Sequence, residues 1–135
     1  MNPRERTMTS SEVKTRASHA RAYFMVAELV HDDRSIESGT NLVGALAVLA
    51  GIAASDAICG HTIGRRAGGD AHDEAIRLLK GATPPNSRAS THLARLLGSK
   101  TDTQYSPMIV SGKKAAELLA SARKLIGELE TLLRT

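Results

Sequence analysis

The stretch TNLVGALAVLAGIAASDAICGHTIG, residues 40–64, followed by RRAGGDAH (65–72) and DEAIRLLK (73–80), decides the fold. The first segment is almost continuously apolar, with no strand-type alternation. It predicts a buried central helix that ends near Ile63 or Arg65. The apolar run over residues 42–54 is shorter than the ~20 residues a membrane span needs, and Asp56 and His61 follow it. The segment therefore reads as a core helix. Ala47, Gly51 and Ser55 recur every four positions, a stripe of small side chains along which another helix can approach closely. Two features stand out from a plain core: Asp56 within the apolar helix, and two arginines followed by a histidine at its exit.

At 135 residues the chain fits one domain with a sizeable core, expected over residues 9–135 behind a frayed, charged lead-in over residues 1–8. Tyr23, Phe24 and Tyr105 are the only aromatic residues, so the core must be built from Leu, Ala, Ile and Val. Ala and Leu are strong helix formers, which predicts an all-α bundle of four to five helices, up-and-down, with no sheet. The net charge of +4 allows an anionic partner such as nucleic acid, although the excess is spread along the chain. Cys59 is the only cysteine, which excludes a disulfide framework or a cysteine zinc site and leaves a small buried hydrophobe. The N-terminal segment lacks an apolar signal core, so a cytoplasmic location without membrane attachment is expected.

Outward from the centre, each boundary has a chemical marker. Thr9 and Glu12 have capping-box spacing, and Val13, Ala17, Ala20, Phe24 and Ala27 then mark one face of a first helix reaching about His31. Asp70 after Gly68-Gly69 reads as the N-cap of a short helix ending at Gly81, before the Pro84-Pro85 turn. Ser87 caps a fourth helix with apolar positions Leu93, Leu96 and Leu97, closed by Gly98. A polar segment then leads to Ser111. From there Ala115, Leu118, Ala122, Leu125, Leu129 and Leu132 form a seam spaced three and four apart. That last helix is leucine-rich enough to support a homodimer.

Four constellations carry chemistry. Arg66 precedes His72 by six positions and Arg65 by seven. An imidazole can take the proton of an RNA 2′-hydroxyl while a planar guanidinium holds phosphoryl oxygens, a pairing suited to metal-free cleavage. Two surface arginines beside a first-turn histidine is the plainer reading of the same residues. Asp56 either lies on an exposed strip or is buried and orients Arg65, Arg66 or a histidine. Glu28 and His31 have the Glu-x-x-His spacing of di-iron bundles, but no second copy exists, so neither a metal nor another cofactor is expected. Lys100 and Tyr105 can touch a phosphate or a stacked base, or simply pin a loop to the bundle.

The segments SDAICGHTIGRRAGGDAHDEAIRLL (55–79) and LARLLGSKTDTQYSPMIVSGKKAAELLASARKLI (93–126) resemble the HEPN group of small helical domains. That group has an Ala-rich central helix, a histidine-opened helix, then a basic residue and a tyrosine ahead of a final Ala-rich helix. The resemblance covers roughly residues 13–133. It implies a homodimeric, metal-independent endoribonuclease or RNA-binding protein of toxin or defence type. Arg66 and His72 would be its catalytic pair, Arg65 the alternative arginine, Asp56 and Asp70 supporting groups, and Lys100 and Tyr105 contacts to RNA. The chain departs from the group at Ala67, where a polar residue is usual, and in placing the motif directly after the central helix. Other members of the group are inactive and pair with a nucleotidyltransferase or an antitoxin-type partner, which is the alternative expectation here.

Overall fold

A computed structural model describes residues 3–69 and 71–134, and the chain is mostly helical. The described residues form α1 (Ser10–Asp32), α2 (Gly39–Ile63), α3 (His72–Ala82), α4 (Ala89–Gly98), α5 (Lys100–Gln104) and α6 (Gly112–Leu133). Two short strands, β1 (Glu5–Thr7) and β2 (Arg65–Ala67), pair antiparallel. The expectation of four to five helices without a sheet is therefore corrected in detail: a one-turn helix and a two-stranded ribbon are added. Neither carries a sequence signal. Residues 5–7 are Glu-Arg-Thr, and they become a strand only because Arg65–Ala67 offers a partner far away in sequence.

The capping box forms as its spacing predicts. Thr9 Oγ1 accepts from the Glu12 amide at 3.1 Å, and the Thr9 amide donates to Glu12 Oε1 at 2.9 Å. At the far end of α2, Gly64 adopts φ 70°, the left-handed conformation that glycine enters without penalty, and its amide donates back to Gly60. The carbonyl of Gly64 then accepts from Met8 at 2.8 Å, and Arg4 accepts from Gly68 at 2.8 Å, closing both ends of the ribbon. The expected cap of α4 at Ser87 is corrected: the N-cap position is Arg88, without a side-chain cap, and Ser87 one residue earlier accepts from the Ala89 amide at 3.1 Å. Ser111 caps α6 through the Lys114 amide. The expected cap at Asp70 lies outside the described residues.

Helix α2 runs through the middle, with α1 and α6 packed along it and α3, α4 and α5 closing the remaining side. By length and composition α2 could cross a membrane, but most of its apolar stretch is buried inside the protein. Its small-residue stripe serves this packing. A methyl group at Gly51 would stand 2.4 Å from Leu96 Cδ1 and 3.3 Å from Leu125 Cδ1, so α4 and α6 touch the backbone there. The leucine seam of α6 is likewise consumed internally: Leu118, Leu125 and Leu129 are fully buried. The leucine seam advanced above for a homodimer thus belongs to the core of one chain.

Candidate functional site

The exit of α2, the ribbon and the start of α3 enclose one side of a cleft of about 260 Å³. Three α2 residues at helical spacing, Ile52, Ser55 and Asp56, form its back wall. Arg16 enters from α1 and Arg66 from β2, while His72 is the first residue of α3. Leu93 and Leu97 of α4 supply an apolar floor, and Lys100 at the start of α5 completes the rim.

Strand alternation explains why two neighbouring arginines part company. Side chains 65 and 66 leave the ribbon on opposite faces. Arg65 goes to Glu5, with Nε 3.7 Å from Oε1, and stands outside the cleft lining. Arg66 enters the cleft, with one Nη anchored to the Ala67 carbonyl at 3.1 Å. Arg66 also reaches the adjoining hollow lined by Glu12 and Thr15. Its charge lies near Glu12, whose carboxyl is held low mainly by its two hydrogen bonds with Thr9.

Asp56 is better protected than Arg16, its side chain 13% exposed against 26%. Its partner is not one of the arginines in the following break, as expected, but Arg16. Nη2 and Nε of Arg16 approach Asp56 Oδ2 at 3.0 and 3.1 Å. Burial pushes the Asp56 carboxyl above the ordinary aspartate range, and the charges of Arg16 and, more weakly, Arg66 oppose that shift. Arg16 also meets His19 Nδ1 at 3.1 Å, so it is held at both ends. Sequence reasoning missed this residue. Its only signal was an arginine beside the Ala17 and Ala20 positions of the α1 core face, opposite a carboxylate lacking an obvious partner.

His72 is partly buried, and its Nε2 is shut off from solvent without a hydrogen-bond partner among the described residues. An unpaired buried imidazole nitrogen is costly. The acidic residues after it do not crowd it equally. Glu74 is buried and turned to Arg77, whose Nε and Nη2 donate at 2.6 and 2.8 Å and hold its carboxyl low. Asp70, the other expected supporting group, lies outside the described residues.

The remaining candidates separate. Lys100 lines the cleft, whereas Tyr105, following α5, is 71% exposed and stands outside its lining. Glu28 of the Glu-x-x-His pair accepts from Arg123 at 3.3 Å. Among the described residues no three His, Cys, Asp or Glu side chains gather as a metal site. Three cations, one paired carboxylate and one imidazole over an apolar floor suit an anionic group with an uncharged portion beside it. No family model, curated protein or solved structure matches the chain.

Proposed function

We propose that the chain is a HEPN-like RNA-cleaving or RNA-binding protein of toxin or defence type, with the α2–α3 cleft as its site. The observation that carries this reading is the meeting of Arg66 and His72 in one cleft, with Lys100 and Arg16 beside them. In cleavage, His72 takes the proton of the ribose 2′-hydroxyl, and the alkoxide attacks the adjacent phosphorus. The bond to the 5′-oxygen breaks, leaving a 2′,3′-cyclic phosphate and a 5′-hydroxyl that gains a proton from the imidazolium. Arg66 binds the phosphoryl oxygens as their charge grows, and Arg16 and Lys100 add to the positive field. Every step uses only protein groups.

Incubation of the purified protein with a labelled mixed-sequence RNA pool tests this. Losing a general base costs roughly 10²–10⁴-fold in rate, so His72→Ala and Arg66→Ala should each nearly abolish cleavage. Arg65→Ala, outside the cleft lining, should leave the rate close to wild type. Cleavage should persist in EDTA. An intact pool with wild type, or cleavage unchanged by both substitutions, refutes the nuclease.

A second reading draws on a different surface. Met25, Val26 and Leu29 are exposed on α1, and Met108 and Ile109 on the segment before α6. Such side chains favour a protein partner. A non-catalytic subunit that pairs with a nucleotidyltransferase or an antitoxin would use them. A homodimer of the nuclease would use the α1 face, since the α2 stripe and the α6 seam are already buried.

A further inference from the structure

Helix α4 separates the cleft from a second cationic region. Leu93, Leu97 and Lys100 face the cleft, whereas His92 and Arg95 meet α6 on the opposite flank, and Arg88, the N-cap of α4, precedes His92 by four positions, the spacing of one helical side. Ser121 of α6 is the centre of that flank. It is buried, and its hydroxyl oxygen lies 3.1 Å from Arg95 Nη1 and 3.3 Å from His92 Nδ1. Lys124, three residues on, presents another charge from the same face of α6. One carboxylate, Glu128, also acts on His92, and it accepts from Ser87 Oγ at 2.7 and 2.9 Å. Arg88, Arg95 and Lys124 are all exposed. Burial first, then the charges of Arg95, Arg88 and Lys124, push the His92 pKa down, and Glu128 opposes them.

Like charges at neighbouring helical positions repel one another, and the chain carries only +4 overall. We propose that Arg88, Arg95 and Lys124 form a second phosphate-binding site, which takes the backbone of a single-stranded nucleic acid whose reacting phosphate sits in the cleft. The proposal rests on the cleft reading above. What favours a nucleic acid over an acidic protein segment is the surface joining the two sites. Thr91, Ala94 and Gly98 are exposed on the outer side of α4, so small uncharged residues line the crossing. A helix with side chains is about 10–12 Å across, a span of a few nucleotides. A flexible strand with one charge per residue can place phosphates on both flanks and pass its sugars over the small residues between. His92 acts through Ser121 in this arrangement, orienting Arg95 rather than touching the strand.

Fluorescence anisotropy with a short labelled oligoribonucleotide, read across a salt series, tests the site in the full chain. Arg88 and Lys124 are exposed, so the variant Arg88→Ala/Lys124→Ala should keep the wild-type melting temperature. Each phosphate contact to a single strand contributes about 0.7 to the slope of log affinity against log salt. The double variant should therefore lose about 1.4 from that slope and bind at least tenfold more weakly at low salt. Arg66→Ala in parallel separates the two readings. If the double variant binds with wild-type affinity and slope while Arg66→Ala loses cleavage, the second site is wrong and the cleft stands. If the double variant weakens binding while Arg66→Ala and His72→Ala change neither binding nor cleavage, the cleft reading fails and the α4–α6 face is a binding surface in its own right. Wild type that does not bind the oligoribonucleotide, or that binds polyglutamate equally well, overturns the nucleic-acid assignment.

Discussion

Arg16 and Asp56, forty residues apart in sequence, form an ion pair at 3.0 Å on the wall of the cleft. The pair joins α1 to the end of α2 and brings a third cation beside Arg66 and Lys100. Removing Arg16 should leave a poorly solvated carboxylate, so Arg16→Ala should lose about 1–3 kcal/mol of stability at neutral pH. The pH dependence follows from the direction of the Asp56 shift. Burial raises its folded pKa, so the carboxyl by itself stabilises the fold while protonated, and that contribution is lost as the pH rises through the folded pKa. Arg16 acts only on the ionised form. Chemical denaturation should therefore show a gap between wild type and Arg16→Ala that is widest near neutrality and closes in acid. A gap that grows in acid would contradict the pairing.

Glycines in two helices should respond oppositely to alanine. At Gly51 the new methyl would meet Leu96 and Leu125, both fully buried, and overpacking of this kind costs about 1–3 kcal/mol. At Gly127, midway along α6, nothing lies within 4 Å, so alanine's better helix propensity should add about 0.5–1 kcal/mol. Thermal melts of Gly51→Ala and Gly127→Ala should move in opposite directions.

Self-association, if it uses the α1 face, should be sensitive to a charge placed there. Leu29 is 63% exposed and stands one helical turn from Met25 and Val26. Light scattering at micromolar concentration should give a dimer for wild type and a monomer for Leu29→Asp, with the circular dichroism spectrum unchanged. A wild-type monomer would remove the dimer and any site shared across it.

Cys59 should be chemically silent in the folded protein. It is buried in α2, and burial pushes its thiol pKa up to about 12, with Asp56 adding to the shift. A thiol reagent at neutral pH should label it only after denaturant is added. Rapid labelling of the native chain would mean that this part of α2 opens easily.

Much of this was legible in the sequence, wherever a local rule sets the outcome. The Thr9–Glu12 box, the end of α2 near Ile63, the start of the last helix at Ser111 and the apolar seam of α6 depend on residues within a turn or two of one another. The buried α2 followed from its apolar run, and an Arg66–His72 juxtaposition from their spacing across the Gly68-Gly69 break. The β1–β2 ribbon was not legible, because three polar residues acquire strand geometry only from a partner some sixty positions away. Nor was the choice between Arg65 and Arg66, since spacing allowed either and only the alternation of a strand sends one to Glu5 and the other into the cleft.

By itself, then, the sequence determined a helical chain with a buried α2, its main caps and breaks, and an arginine and a histidine near the exit of that helix. Hydrophobic periodicity and capping act over a few residues, so they can be read directly from order. Tertiary structure decided which charges meet. Asp56 found Arg16 rather than a neighbour in the break, Lys100 joined the cleft while Tyr105 faced solvent, and the small-residue stripe met Leu96 and Leu125 at Gly51. Those outcomes depend on how whole helices pack around α2, where burial makes an unpaired charge costly and any cation within reach can satisfy it.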